Sequence, residues 1–187
     1  IKNLASGHIT EVLGDFHSPG IETKIAIRDY SIPFKWSEEV SAQVDRISTK
    51  LAIDGKRVDL RDKYFITIDG EDAKDFDDAL SFKKLKNNNV EIGIHIADVT
   101  HYLEKNTLLD KEAKKRATSV YLADRVVPML PEILSNDLCS LNPNEDKNVF
   151  SVLVEIDNNF NIIGKEFSKC LINSNERMSY QEAQYVI

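Results

Sequence analysis

The sequence predicts an α+β fold, helices on a sheet, preceded by the last strands of a small β-barrel. Three observations carry this. From about residue 57 onward, alternating apolar runs come in pairs joined by Asn-rich turns. Two stretches, one after Ser37 and one from Asp110, repeat their apolar residues at helical spacing instead. Before residue 33 the chain alternates in short runs broken by Gly, Pro and Ser.

In chain order, Gly7 to Leu13 alternates well enough for a strand, and Lys24 to Arg28 is a second alternating run. Gly14-Asp15 and Ser18-Pro19-Gly20 between them carry turn chemistry. Two short strands bury too little to stand alone, so residues 1–33 read as the end of a barrel. Residues 34–56 form a connector. Ser37 is a good N-cap, Glu38 and Glu39 follow where the helix dipole favours acids, and Val40, Val44, Ile47 and Leu51 line one face. Asp54-Gly55 closes it with a turn. Residues 57–187 form the α+β part. Tyr64 to Ile68 is a strand delivering Asp69 at its exit. Ala79 to Phe82 and Val90 to Ala97 form a hairpin around Lys86 to Asn89. Asp110 to Val120 reads as a helix with Ala113, Ala117 and Val120 inward and Lys111, Lys114, Lys115 and Arg116 on a solvated face. Val149 to Ile156 and Ile162 to Ile172 form a second hairpin. Ser179-Tyr180-Gln181-Glu182 is a capping box that opens a further helix. The chain begins at Ile1 rather than Met and ends soon after that box, so it reads as part of a longer protein.

The 187 residues are 42% hydrophobic and 29% charged, an ordinary globular composition with ample length for a core. No run is apolar and long enough for a membrane helix, and no signal peptide opens the chain. Cys139 and Cys170 have no paired spacing, which suits reduced thiols in a cytoplasmic protein. The net charge of −7 argues against a free-standing nucleic-acid binder but not against a nuclease with an acidic centre.

Asp69, Asp75, Asp77 and Asp78 fall within ten residues, with Glu71 and Asp72 among them and Lys74 as the nearby cation. Like charges this close oppose one another's ionisation, and the usual counter-charge is a hard divalent cation that takes oxygen ligands. In an extended Asp75–Asp78, Asp75 and Asp77 point one way while Phe76 anchors the loop in the core. Three or four such carboxylates suit octahedral magnesium, with manganese as the alternative. They also suit a pair of ions about 3.5–4 Å apart for phosphodiester cleavage. A helix-flanked calcium loop is excluded, because counting from Asp69 its sixth and twelfth positions are Lys74 and Leu80 rather than Gly and Glu.

Val58-Asp59-Leu60-Arg61-Asp62 followed by Thr67 to Ala79 resembles the opening of the catalytic domain of the ribonuclease II / ribonuclease R family. Ile96-Ala97-Asp98-Val99, Thr118 to Tyr121, Val126 to Pro131, Leu134-Ser135-Asn136 and Leu138 to Pro143 continue the likeness in order. Gly7 to Ile32 resembles the end of the cold-shock-like barrel that precedes this domain in the family. The resemblance implies a mixed sheet with helices, of the RNB type, after remnant strands of an OB-type barrel. It implies a magnesium-dependent, processive 3′→5′ exoribonuclease that releases nucleoside 5′-monophosphates. Asp69, Asp75, Asp77 and Asp78 match the family's metal-binding and catalytic aspartates, with Asp77 the most critical for cleavage. Tyr121 matches a tyrosine that packs on the base at the RNA 3′ end, which makes single-stranded RNA the partner. The family's further catalytic glutamate and arginine, the rest of the RNB domain and an S1-type domain lie beyond the matched stretch. This chain is therefore expected to hold the metal side of the site, to be inactive alone, and to act as a monomer. A non-catalytic RNA-binding module of the same fold is the alternative; loss of any of the four aspartates would favour it, and all four are present.

Arg116, Arg125 and Arg177 offer phosphate contacts. Arg125, just past Tyr121, is the best placed, against the alternative of a surface ion pair. His95 at an alternating strand position reads as a packed core residue, His101 as surface, and Asp98 as a group that orients its neighbours or caps a turn rather than a metal ligand.

Overall fold

In the computed structural model of the protein, residues 7–48, 51 and 56–187 are described. Seven strands form one mixed sheet: β1 (Val58–Asp59), β2 (Phe65–Asp69), β3 (Asp78–Lys84), β4 (Val90–Ala97), β7 (Asp146–Ile156), β8 (Ile162–Asn173) and β9 (Glu176–Ser179). Their spatial order is β1-β8-β7-β4-β3-β2-β9. The β3–β4 and β7–β8 hairpins form its antiparallel centre, and β1 on β8 and β2 on β9 pair parallel at the two edges. A separate two-stranded ribbon joins β5 (Val120–Tyr121) to β6 (Val126–Val127).

One face of the sheet carries the core. Phe65, Ala79, Ala97, Val149 and Cys170 pack beneath α2 (Glu38–Val44), α3 (Leu108–Arg116) and the segment Leu134 to Leu141. Strand alternation puts Leu80, Phe82, Ile94, Ile96 and Phe150 on the opposite, exposed face. Ser37 caps α2 by accepting from the Val40 backbone amide, and Thr107 caps α3 through the Asp110 amide. Ser179 and Glu182 close a full capping box at α4 (Tyr180–Val186).

Beneath the core runs a buried polar ladder. The fully buried His95 ring lies between Ser81 Oγ at 2.9 Å and Ser151 Oγ at 2.8 Å, on three adjacent strands, with the Phe65 ring edge-on at 4.8 Å. Burial pushes the imidazole down to about 4, so it stays neutral and can donate from one nitrogen while accepting at the other. Gly93 makes room for it, since a methyl there would overlap both Ser81 Oγ and His95 Nε2. Gly93→Ala is expected to cost about 1–3 kcal/mol, read as a lower urea midpoint at unchanged slope; an unshifted midpoint would mean the ladder repacks freely.

The N-terminal stretch departs from expectation. Lys24 to Arg28 is no strand but part of the helix α1 (Ile21–Asp29), and Gly7 to Asp15 has no regular structure. A five-residue alternating run is too short to separate the two periods. Ile21 and Ile27 satisfy the helix by turning inward while Ile25 stays partly exposed. Gly20 enters the helix at φ 77°, a left-handed conformation that glycine adopts without strain. The second helix ends at Val44, short of Leu51, and the turn expected at Asp54-Gly55 lies outside the described residues. The third ends at Arg116, because Ala117 turns to φ 64° and Val120 joins the ribbon. Arg116 is not on a solvated face. It is buried, with its guanidinium 3.4 Å from the centre of the Trp36 ring and donating to Glu112, Pro128 O and Lys35 O. That removes it from the phosphate-contact candidates.

Candidate active site

The acidic loop runs from the end of β2 to the start of β3 and is held from three sides. Phe76 is buried, as its apolar side chain among carboxylates requires, and its backbone amide donates to Ser140 Oγ at 3.0 Å. Ser140 Oγ in turn donates to Lys74 O, and the Leu141 amide to Phe76 O. The Ala97 amide donates to Asp77 O at 2.9 Å, and Asp78 pairs with Ile96 in the sheet. From β9, Arg177 donates to Gly70 O and Glu71 O and lies over the Phe76 ring at 4.9 Å. Arg177 therefore staples the loop instead of offering a free phosphate contact.

Asp69 and Asp75 are half-buried, while Asp77 and Asp78 are exposed. Burial first, then the charges of Asp78 and Asp75, push the Asp69 carboxyl up, with Arg177 pulling it back. Partial desolvation of its carboxyl by the packed loop around it, although the residue as a whole still meets solvent, then Asp75, Asp78 and Asp69 in that order, push Asp77 up. Asp69 Oδ2 is buried without a hydrogen-bond partner among the described residues. An orphaned carboxylate oxygen amid mutually repelling acids is a donor set of the kind a hard cation satisfies. The side chains are not gathered tightly, however. Among the described residues, no three His, Cys, Asp or Glu groups stand close enough to hold one ion.

Asp69, Asp72 and Asp75 line a cleft of about 710 Å³. The β5–β6 ribbon contributes Ser119, Tyr121 and Arg125, and the turn after Pro131 contributes Glu132, Ser135 and Asn136. The Tyr121 hydroxyl donates to Asp75 Oδ2 at 3.2 Å while its ring is 69% exposed, so one face is free to stack. Burial and the Asp75 carboxylate hold that phenol above its ordinary range. Arg125 lines the cleft and also forms an ion pair with Asp124 at 2.8 Å. Asp77 and Asp78 are not among the cleft's lining groups.

Ile133–Leu138 is a π-helical turn, closed by the Cys139 amide donating to Leu134 O at 2.8 Å. Such turns recur at functional sites. The polar run Ser135-Asn136-Asp137 between Leu134 and Leu138 is the local sequence signal for its cleft-lining residues.

Asp98 is buried just after β4 and stands at the N-cap position of the single turn Val99–His101, with its carboxylate engaged elsewhere. It accepts from Thr100 Oγ1 at 2.6 Å, Arg57 at 2.6 Å and Lys169 at 3.1 Å. His95 and Asp98 are thus an interior neutral ring and a buried ion pair, in keeping with a non-metal reading.

The RNB domain family matches residues 57–187, and the cold-shock domain family matches residues 1–37. The chain belongs to the ribonuclease II / ribonuclease R family. Ribonuclease R of Acidithiobacillus ferrooxidans is 41% identical over 188 residues, covering 100% of this chain and 43% of the relative. The structure of Mycoplasma genitalium RNase R in complex with double-stranded RNA superposes with a TM-score of 0.87 at 35% identity, over 95% of this chain and 32% of that one. Yeast Ssd1, a pseudonuclease, shares the fold at a TM-score of 0.77 and 22% identity, over 94% of this chain and 23% of its own. The chain thus spans less than half the length of these RNB-domain proteins. What the chain shares with these structures is the mixed sheet with its helices, and the acidic loop lies where β2 hands over to β3.

Proposed function

We propose that the protein is a magnesium-dependent, processive 3′→5′ exoribonuclease that hydrolyses single-stranded RNA to nucleoside 5′-monophosphates. The observation that carries it is the unpartnered, buried Asp69 Oδ2 among carboxylates that repel one another, beside an exposed Tyr121 ring. Asp69, Asp75, Asp77 and Asp78 would hold the ion, which when bound supplies Lewis-acid charge at the phosphoryl oxygens. Asp77 and its neighbours orient a water toward the last phosphorus. The bond from phosphorus to the upstream O3′ breaks, the phosphate leaves on the released nucleotide, and the shortened RNA keeps a 3′-hydroxyl. Tyr121 stacks on the terminal base, a contact that tolerates any sequence. Arg125 reaches the backbone once it parts from Asp124. The remaining chain of the full-length protein completes the site, and the setting is a cytoplasmic monomer.

The test uses the full-length protein on 5′-labelled single-stranded RNA with and without EDTA. Stepwise shortening from the 3′ end, release of 5′-monophosphates and full dependence on added magnesium are expected. Endonucleolytic fragments, 3′-phosphate products or EDTA-insensitive cleavage would overturn the reading. The 187 residues alone should leave the same RNA intact. The pseudonuclease neighbour shows that this fold also occurs in a protein called inactive, so RNA binding without any hydrolysis by the full-length protein would favour a binding module instead.

A further inference from the structure

The cleft contains a donor and an acceptor with no partner among the described residues. Ser135 Oγ donates to Asn136 Oδ1 at 3.1 Å, which fixes the carboxamide and leaves Asn136 Nδ2 with its two hydrogens. Among the described residues nothing pairs with that nitrogen, nor with the Glu132 carboxylate, and both groups line the cleft beside Tyr121 and Asp75. Glu132 precedes the π-helical turn Ile133–Leu138 and Asn136 lies within it, so the two are placed by the same rigid element.

A carboxylate only accepts and this amide nitrogen only donates. Together they match a hydroxyl, which gives one hydrogen and takes another. They do not match a phosphate, which Glu132 and the neighbouring Asp72 and Asp75 would repel. Tyr121, Glu132 and Asn136 line one cleft, so a terminal base stacked on Tyr121 as proposed above would have its ribose within the space that these groups share. We propose that Asn136, oriented by Ser135 and assisted by Glu132, reads the 2′-hydroxyl of the 3′-terminal nucleotide and so sets the preference for RNA over DNA at that position. Asn136 donates to O2′ and Glu132 accepts the hydroxyl hydrogen. Ser135 is a positioning residue. This rests on the exoribonuclease reading above, and it assigns a substrate feature that the four aspartates and Tyr121 leave unread.

The experiment measures kcat/KM of the full-length protein on one RNA oligomer ending in ribose, 2′-deoxyribose or 3′-deoxyribose. The wild type is expected to disfavour the 2′-deoxy end by about 10–100-fold, since a site built around a hydroxyl is left with unpaired polar groups when it is missing. Asn136→Ala should shrink that ratio to within about threefold, chiefly through a slower reaction of the ribose end. Asn136→Ser, a smaller change at a half-buried position, repeats the test should the alanine variant lose its cooperative unfolding. Glu132→Gln, which keeps an acceptor, should move the ratio less than Asn136→Ala. A ratio unchanged in both Asn136 variants would overturn the assignment. So would an equal loss on all three ends, or discrimination that follows the 3′-hydroxyl. A wild type that hydrolyses none of the oligomers refutes the exoribonuclease reading itself, and this inference with it.

Discussion

Asp77→Asn in the full-length protein is expected to lower the rate of RNA hydrolysis by on the order of 10³-fold or more, with RNA affinity within about threefold of wild type. The two effects separate because the substitution changes charge and almost nothing else. The Asp77 backbone is held by the Ala97 amide at its carbonyl, and its neighbour Phe76 by Ser140 and Leu141, so an isosteric amide meets the same frame. What disappears is one of four carboxylates whose mutual repulsion, together with burial, already pushes the Asp77 carboxyl up. A folded-state value raised above the unfolded one means that the ionised group opposes folding at neutral pH. Asp77→Asn should therefore leave thermal stability unchanged or slightly higher while hydrolysis collapses. Single-turnover kinetics, a filter-binding titration in EDTA and a melting curve measure the three quantities. Near-normal hydrolysis would remove Asp77 from the centre, and a large fall in melting temperature would show that its role is structural.

Asp98→Ala should be the most destabilising of these substitutions, by about 3–5 kcal/mol, because it strands the nearly buried Arg57 guanidinium without a counter-charge. Burial by itself would raise the Asp98 carboxyl. The hydrogen bonds from Thr100, Arg57 and Lys169 together outweigh burial and hold it down at about 2. The sign follows from that direction. A depressed folded-state value contributes stability above the ordinary carboxylate value of 3.8, and the contribution fades as pH falls through about 2. Urea unfolding at neutral pH and near pH 3 should show the wild type losing part of the difference from Asp98→Ala as acid is added. A pH-independent difference would assign the cost to packing instead of the ion pair. Because Asp98 directly follows Ala97, the last residue of β4, and the Ala97 amide holds Asp77 O, some loss of hydrolysis should accompany the loss of stability.

Much of the RNB part was legible in the residues. Val90 to Ala97 alternates cleanly, and the structure pairs it as a strand on both sides, but the buried parity is that of Gly93, His95 and Ala97, while Ile94 and Ile96 face outward. Phe76 could be placed in the core because an apolar ring within an acidic run has few other uses, and it is 4% exposed. His95 is the packed residue the sequence suggests, although it has the parity opposite to the isoleucines, because Ser81 and Ser151 satisfy both its ring nitrogens in the interior. Arg116 was not. Its helical position put it beside Lys114 and Lys115, but Trp36 and the Lys35 carbonyl, 81 residues away in the chain, supply a buried socket. The helix at Ile21–Asp29 was missed for a related reason. Its two inward isoleucines find partners only through the fold, and the short run that contains one of them reads equally well as a strand.

The sequence by itself determined the kinds and spacing of the chemical groups, because periodicity, caps and motifs are local. Four aspartates around a buried phenylalanine, two hairpins, a capping box and the ribonuclease II / ribonuclease R likeness all lie on contiguous residues. Only the tertiary structure decided which distant groups meet. It brought Ser140 under the acidic loop, Tyr121 onto Asp75, Arg177 onto the loop carbonyls, and the Asn136 amide nitrogen and Glu132 carboxylate into the cleft. The physical reason is that burial and pairing depend on what arrives from elsewhere in the chain, and a carboxylate or guanidinium looks the same in sequence whether it is solvated, stapled or poised.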